Sequence, residues 1–170
     1  MKRYTVDHTV NSLCFSDDQN IFKISISQML INEFFEMCQS SLPNETGGII
    51  TGNYTENYTC ANITEVLKAP SDSKSGPTWF FRGTFGMKKK LDMLWKEKRQ
   101  YYIGEWHYHP NSSSNLSYQD INQMNAISNN DSYKCPEPIL LIIGGNSNSW
   151  EYSAYVFPKG EKFVRLHVKS

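Results

Sequence analysis

Two periods of apolar residues along the chain predict its helices and strands. Over residues 27–40 the apolar positions recur every three to four residues, which predicts an amphipathic helix. These apolar positions are Leu30, Ile31, Phe34, Phe35 and Cys38. Ser27 stands where a helix N-cap is expected. The same spacing predicts helices over residues 84–99 and 117–128.

Strands are predicted where β-branched and aromatic residues alternate with polar ones or form short apolar runs. The predicted strands are residues 10–15, 21–26, 49–54, 59–67, 101–110, 139–143, 150–157 and 163–168. Residues 139–143 are continuously apolar, as in a strand buried on both faces, and residues 163–168 are expected at a sheet edge. Residues 70–77 are expected to form a loop long enough to cover a site. The pattern predicts an α/β sandwich, a mixed β-sheet flanked by helices.

The length and composition are typical of one domain, residues 1–170. Apolar residues make up 39% of the chain, enough for a core without disulfides. Seventeen basic and seventeen acidic residues cancel, so no net field draws the chain to nucleic acid or to an anionic membrane. The chain shows neither an apolar signal segment nor a run near the roughly 20 apolar residues of a membrane span. We therefore expect a cytoplasmic protein.

The four cysteines are widely separated and form no Cys-x-x-Cys pair. They are Cys14, Cys38, Cys60 and Cys135. In a cytoplasmic protein this pattern favours reduced thiols over disulfides, and it excludes a zinc finger.

Two histidines lie near the end of the strand predicted over residues 101–110. Because side chains alternate along a strand, His107 and His109 point to the same face. Asp120 follows at the opening of the helix predicted over residues 117–128. Two imidazoles and a carboxylate, with no obvious fourth protein ligand, are typical of a catalytic zinc that keeps one position for water. The sequence therefore predicts a zinc hydrolase site.

Ser117 and Asp120 also have a purely structural interpretation. Ser-x-x-Asp before an apolar helix resembles a capping box, in which the Ser117 side chain accepts a hydrogen bond from the backbone N–H of Asp120. If capping were its whole role, Asp120 would point back to the helix end and not reach a metal. A cap would also fix the start of the helix and so aim Asp120 at the histidines.

A metal-dependent hydrolase needs a base that takes a proton from the attacking water. Glu105 shares a strand face with both histidines and would lie beside the ligands. Glu45 opens a different, Gly-rich strand, from which it could be presented across the metal. Each could equally be a solvated glutamate of a turn or strand end, and periodicity does not choose between them.

The spacing of these residues resembles the signature of the JAMM (MPN+) metallopeptidase family. The matching positions are Glu45 before Gly47-Gly48, then His107-x-His109-Pro110, six residues, and Ser117-x-x-Asp120. The resemblance extends from about residue 27 to residue 157 and includes the order of helices and strands. It implies the single-domain JAMM/MPN sandwich, a cytidine-deaminase-like α/β fold.

The resemblance also implies a role for each matching residue. Zn²⁺ would be held by His107, His109 and Asp120, with water as the fourth ligand. Glu45 would act as general base and then as proton donor to the leaving amine, which decides the choice against Glu105. Ser117 would donate a hydrogen bond to the oxyanion of the tetrahedral intermediate.

Members of this family cleave peptide or isopeptide bonds after the C-terminus of ubiquitin-like or similarly conjugated proteins. The compact chain and the wording Gly-Glu-Trp-His-x-His-Pro are similar to the bacterial branch. That branch includes deconjugating peptidases encoded beside E1/E2-like enzymes and CD-NTases in antiphage (CBASS) operons. The resemblance implies a protein substrate with an extended C-terminal tail, an E1/E2-like enzyme as a further partner, and neither nucleic acid nor membrane.

Eukaryotic deubiquitinating members carry a longer insertion after the Ser/Asp helix than residues 129–138 provide here. We therefore expect substrate recognition to rely on the loop at residues 70–82 and on a strand edge at residues 51–60, where an extended tail could add as a strand.

Two alternatives stay open on the sequence. Relatives of the same fold without metal serve as interaction modules, although they lack part of the ligand set that this chain has. A JAMM peptidase that processes a sulfur-carrier or ubiquitin-like precursor would carry the same catalytic residues. Cleavage of a conjugate rather than a linear precursor distinguishes the last alternative.

Overall fold

A computed structural model describes residues 12–55 and 57–169. The chain order is β1 (Ser12–Ser16), β2 (Lys23–Ser27), α1 (Gln28–Ser41), β3 (Thr46–Tyr54), β4 (Ala61–Lys68), β5 (Lys74–Gly76), β6 (Trp79–Phe81), α2 (Met87–Lys98), β7 (Tyr101–Pro110), α3 (Tyr118–Ser128), β8 (Ile139–Asn146), β9 (Ser149–Val156) and β10 (Val164–Lys169). A short 3₁₀ turn, Asp131–Tyr133, lies between α3 and β8. The mixed α/β class expected from the sequence is confirmed.

Eight of the strands close into a barrel, which the predicted α/β sandwich did not include. Their order around the barrel is β1-β10-β9-β8-β7-β3-β4-β2. The predicted edge position of residues 163–168 is wrong, because β10 pairs with β9 on one side and with β1 on the other. The β1–β10 pairing joins segments about 150 residues apart, which no local pattern encodes. Residues 10 and 11 of the first predicted strand lie outside the described residues.

The helices pack on both sides of the barrel wall, as expected. One core cluster takes buried residues from all eight barrel strands and from α1, so it fills the barrel interior. A second cluster packs the outer wall against α2 and α3. Along β8, Leu141 and Ile143 belong to the first cluster and Leu140 and Ile142 to the second. This confirms the prediction of a strand buried on both faces.

Local capping signals fixed the starts of two helices. Ser27 caps α1, and its side chain accepts from the Leu30 N–H at 3.3 Å. Ser117 caps α3. The helix predicted over residues 84–99 begins later, at Met87, after Gly86 in the left-handed region. None of the helices in residues 12–55 and 57–169 is long and apolar enough to cross a membrane. The four cysteines are free thiols.

Two expectations about substrate-binding segments change with the structure. β3 pairs with β4 on one side and with β7 on the other, so the expected open edge at residues 51–60 is wrong. The predicted loop at residues 70–77 is also wrong in part, because it contains β5, which pairs with β6 in a separate two-stranded sheet. Three-residue strands are too short to show a period in the sequence.

β7 carries a bulge that changes which face its residues occupy. The register with β3 shifts between Ile50, which lies opposite Gly104, and Thr51, which lies opposite Tyr102, so Ile103 is the extra residue. Tyr102 therefore lies on the outer face together with Glu105, three positions later, instead of on the opposite face. The bulge lies directly before the histidines.

Candidate functional site

The five residues to which the family resemblance gave a role come together in one cleft on the outer face of the barrel. The cleft has a volume of about 630 Å³. Its lining includes Glu45, His107, His109, Ser117 and Asp120. They are supplied by the end of β7, the start of α3 and the residue before β3.

Asp120 contacts both histidines. One carboxylate oxygen, Oδ1, lies 2.5 Å from His107 Nδ1, and the other, Oδ2, lies 3.5 Å from His109 Nε2. His107 and Asp120 are 4% and 3% exposed, so this contact is shielded from water.

The capping box predicted for α3 is present in addition to these contacts. Asp120 Oδ2 accepts from the Ser117 N–H at 2.8 Å, and Ser117 Oγ accepts from the Asp120 N–H at 3.1 Å. Capping and histidine contact are therefore compatible, because the carboxylate has two oxygens. Ser117 Oγ accepts here through a lone pair, which leaves its hydroxyl proton to be donated elsewhere.

The loop that follows β7 contacts the Nδ1 atom of His109. His109 Nδ1 lies 3.3 Å from the Ser113 carbonyl oxygen, which turns Nε2 toward Asp120. The loop itself is fixed by a hydrogen bond of 2.7 Å from the Gly145 N–H to the Ser112 carbonyl and by a buried contact of 2.8 Å between the hydroxyls of Ser114 and Ser153. A backbone carbonyl on the second nitrogen is a common way to orient a metal-binding imidazole.

The donor set suits zinc, although the donor atoms do not surround one point. Within residues 12–55 and 57–169, no three His, Cys, Asp or Glu side chains are arranged as a ready metal cluster. The 2.5 Å contact between His107 and Asp120 is a hydrogen bond, shorter than the about 3.3 Å that separates ligand atoms around tetrahedral zinc. Yet His107 Nε2 is buried and has no hydrogen-bond partner among the described residues. In the tautomer whose Nδ1–H donates to Asp120, Nε2 carries a lone pair, as a metal ligand needs.

The entrance of β3 is built from glycines because the site is packed closely there. A Cβ atom on Gly47 would lie 2.7 Å from the Phe80 ring and 3.0 Å from the His107 ring. Gly47 pairs with His107 in the β3–β7 register. The preceding Glu45 donates its backbone N–H to the Gly76 carbonyl of β5 at 2.9 Å. Glu45 is thus held between the ligand strand and the small β5–β6 sheet.

The family described as prokaryotic homologs of the JAB domain matches residues 27–155, which is most of the chain. The chain belongs to this family.

Relatives of this JAB-domain protein include two proteins named as isopeptidases and one named as a probable metalloprotease. A CD-NTase/cGAS isopeptidase from Enterobacter hormaechei subsp. hoffmannii is 38% identical over 93% of this chain and 88% of its own length. A second CD-NTase/cGAS isopeptidase, from Escherichia coli, is 24% identical over 83% of this chain and 87% of its own. A probable metalloprotease, y4qB, from Sinorhizobium fredii is 25% identical over 66% of this chain and 70% of its own.

The fold also has a solved counterpart. The solution structure of protein DSY2949 from Desulfitobacterium hafniense superposes with a TM-score of 0.58 over 86% of this chain and 90% of that one. At 15% identity the likeness concerns the fold alone.

Hydrogen bonds and burial favour, in Asp120 and His109, the protonation states that a metal ligand requires. Burial alone would raise the pKa of Asp120, but hydrogen bonds from His107 and Ser117 outweigh it and lower this pKa to about 2. Burial lowers the pKa of His109, against the opposing pull of Asp120 and of the Ser113 carbonyl. At neutral pH the site therefore presents an ionised carboxylate and a neutral imidazole.

Glu45 has a raised pKa, which a general base would need. Burial raises its pKa to about 7; the nearby Asp120 charge adds to the rise and His107 opposes it. A carboxyl with a pKa near neutrality can both accept a proton from water and return it to a leaving group.

Glu105, the competing candidate, is placed differently. It lies on the expected face of β7 but is fully buried, and its carboxylate accepts from Arg82 Nε at 2.6 Å and from the Tyr102 hydroxyl at 2.9 Å. Burial raises the pKa of Glu105, and the Arg82 guanidinium opposes that rise. A carboxylate with both oxygens engaged is a structural partner rather than a base facing the cleft.

Sequence reasoning missed Arg82, Phe80 and Gln119. The Phe80 ring packs edge-on against His107 with 5.6 Å between ring centroids, and its carbonyl accepts from Gln119 Nε2 at 3.0 Å. Gln119 directly precedes Asp120, which offered the only sequence signal. Arg82 and Phe80 lie in a segment predicted mostly as a loop, and the side chains that they contact follow more than 20 residues later.

Proposed function

We propose that this JAB-domain protein is a zinc-dependent isopeptidase that hydrolyses the bond after the C-terminus of a conjugated protein. The observation that carries the proposal is the cleft in which Asp120 contacts His107 and His109 beside Glu45. The similarity to a CD-NTase/cGAS isopeptidase over 93% of the chain supports this substrate class. The proposal includes a cytoplasmic location, a conjugate made by an E1/E2-like enzyme, and a role in bacterial antiphage defence.

In this proposal each residue of the cleft has one task. His107, His109 and Asp120 hold Zn²⁺, which when bound polarises the scissile carbonyl and lowers the pKa of water. Glu45 takes a proton from the attacking water and then passes it to the leaving lysine amine. The Ser117 hydroxyl donates to the oxygen that becomes negative in the tetrahedral intermediate.

The β5–β6 sheet is the element best placed to bind an extended tail. Among the described residues its two strands pair only with each other, so it offers strand edges that the closed barrel does not. Gly76 of β5 is hydrogen-bonded to the backbone of Glu45, so a tail added at this sheet would run toward the proposed base. Trp79 and Phe81 of β6 are 44% and 62% exposed and could contact its side chains.

The proposal is tested by cleavage of a defined conjugate. The C-terminal segment of a CD-NTase is joined to the lysine amine of a fluorescent peptide, and cleavage by wild type is compared with cleavage by Glu45→Gln. We expect activity in wild type, a loss of at least about 10²-fold in the variant, and about one zinc per chain in both. Glu161→Gln, at an exposed glutamate, serves as the control and should match wild type.

The other outcomes separate the alternatives. Cleavage of the same segment only as a linear peptide fusion would favour a precursor-processing peptidase. Zinc binding without cleavage of either substrate would contradict this substrate class. Absence of zinc and of activity would favour a non-catalytic interaction module of the same fold.

A further inference from the structure

A buried polar network next to the candidate metal site takes no part in the proposed mechanism. Arg82 and Glu105 form an ion pair of 2.6 Å with side chains 6% and 0% exposed. Arg82 Nη2 donates to the Tyr133 hydroxyl at 3.1 Å, and Arg82 Nη1 to the Gly83 carbonyl at 2.9 Å. Tyr102 completes the network by donating to the second oxygen of Glu105.

The network is a buried and fully hydrogen-bonded ion pair, unlike a chance contact at the surface. A buried charge is costly unless it is fully partnered, and here each nitrogen of the guanidinium and each oxygen of the carboxylate has a partner. The bulge at Ile103 brings Tyr102 to the face of Glu105, which regular strand alternation over three positions would not do.

The two charged residues belong to the two elements whose relative position matters most for a substrate tail. Arg82 directly follows β6, and Glu105 lies on β7 two residues before His107. The other contacts that attach the β5–β6 sheet near the site are one aromatic contact and two hydrogen bonds. The Phe80 ring packs against His107, the Phe80 carbonyl accepts from Gln119, and the Gly76 carbonyl accepts from the Glu45 backbone. The ion pair is the only buried charged link among these contacts of the described residues.

We infer that Arg82 and Glu105 are positioning residues that hold the β5–β6 sheet against the ligand strand and so set the tail-binding edge relative to Glu45. The inference deepens the proposed function and rests on it for the identity of the tail. Neither residue touches the reacting atoms. Their loss therefore affects the binding of an extended tail more than the chemical step.

The test removes both charges together, since either change alone leaves an unpaired buried charge that could unfold the protein. In Arg82→Met/Glu105→Gln we measure amide hydrogen exchange by mass spectrometry over residues 74–82 and over the barrel strands, zinc content, and kcat and KM on the lysine conjugate. Tyr133→Phe removes one hydrogen bond and keeps the ion pair. Lys88→Met/Asp92→Asn removes an exposed ion pair of 2.9 Å on α2 and is the control.

We expect exchange over residues 74–82 to accelerate by about tenfold or more in the double variant while the barrel strands stay protected. KM should rise about tenfold with kcat within about twofold, and zinc content should stay unchanged. Tyr133→Phe should show the same changes in smaller size, and the Lys88/Asp92 control none.

Unchanged exchange over residues 74–82, or a loss of protection shared equally by the barrel strands, would overturn the inference. A fall in kcat at constant KM would overturn it as well. If wild type cleaves no conjugate, the proposed function fails, but the exchange measurement still decides whether the ion pair holds the β5–β6 sheet.

Discussion

Single residues in this site carry structural and chemical tasks at once, and Asp120 is the clearest example. Its Oδ1 binds His107, while its Oδ2 completes the cap of α3 and faces His109. The helix cap fixes the carboxylate in the position that the histidines need. The cap and the proposed metal site therefore share one side chain.

Ser117 allows the two tasks to be separated by substitution. Ser117→Ala removes the acceptor for the Asp120 N–H, and we expect it to lower the free energy of unfolding by about 0.5–2 kcal/mol. It should also lower kcat by about 10²–10³-fold if the hydroxyl stabilises the oxyanion. Urea unfolding and conjugate cleavage measure the two effects.

The matched control is Ser27→Ala, which removes the N-cap of α1 away from the cleft. It should cost similar stability and leave kcat unchanged. An equal fall of kcat in both variants would show that the loss of activity comes from helix stability rather than from the oxyanion contact.

The raised pKa of Glu45, about 7, gives a pH prediction. A general base works only when deprotonated, and a carboxyl is protonated below its pKa, so kcat/KM should fall as the pH drops. The positive charge of bound zinc favours the carboxylate and places the acid limb below about 7 rather than above it. The measurement is kcat/KM between about pH 5 and 8. A flat profile over that range would contradict Glu45 as the base.

Residues with local signatures could be predicted from the sequence, and residues with distant partners could not. The spacing of His107, His109 and Asp120 lies within one strand and the next helix start. Glu45 was chosen only through the family resemblance, because nothing near it indicates which strand pairs with its own. Arg82 gave no signal, since its carboxylate partner follows 23 positions later.

At the scale of elements, the bulge in β7 determines which side chains face the site. Gly104 directly follows the extra residue Ile103, and a Cβ atom on Gly104 would lie 1.9 Å from the Ile139 carbonyl oxygen of β8. That oxygen belongs to a paired backbone and cannot move aside easily. The glycine therefore lets β7 and β8 approach closely just before the histidines.

We expect Gly104→Ala to lower the free energy of unfolding by about 3 kcal/mol or more, because the added methyl group meets backbone. The matched control is Gly160→Ala, at a left-handed glycine with nothing within 4 Å of the added methyl. It should cost only about 1–2 kcal/mol, the left-handed backbone penalty. Chemical denaturation of both variants makes the comparison, and equal losses would contradict the close approach as the cause.

The elements differ in how far they could be predicted. Helices α1 and α3 start where serine caps precede apolar stripes, which is local information. The β5–β6 sheet was missed because its strands are three residues long, and its contacts, from Glu45 to Gly76 and from Arg82 directly after β6 to Glu105, join residues far apart in the sequence. Closure of the barrel depends on β1 meeting β10, which only the folded chain brings together.

At the scale of the whole molecule, the closed barrel leaves few places where an extended partner can add a strand. Every barrel strand has two neighbours, so the open edges in the described residues belong to the β5–β6 sheet beside the cleft. The barrel thus supplies a wall for the histidines, and a smaller element offers the proposed binding edge. That residues 1–170 form one domain stays a prediction.

Metal binding should be visible in the stability of the whole protein. A ligand that binds only the folded state stabilises it by RT ln(1 + [L]/Kd), about 2.7 kcal/mol at a hundred times Kd. For a domain of this size each kcal/mol raises Tm by about 2–4 °C. We therefore expect Zn²⁺ at that excess to raise Tm of chelator-treated protein by about 5–10 °C, measured by scanning calorimetry.

His109→Ala should abolish this rise, because it removes one of the three proposed ligands. His167→Ala, at an exposed histidine of β10, is the matched control and should keep it, since it removes an imidazole without touching the cleft. An equal rise in both variants would place the zinc elsewhere on the chain. No rise in wild type would contradict a resident metal, and the contact of Asp120 with two histidines would then serve the fold alone.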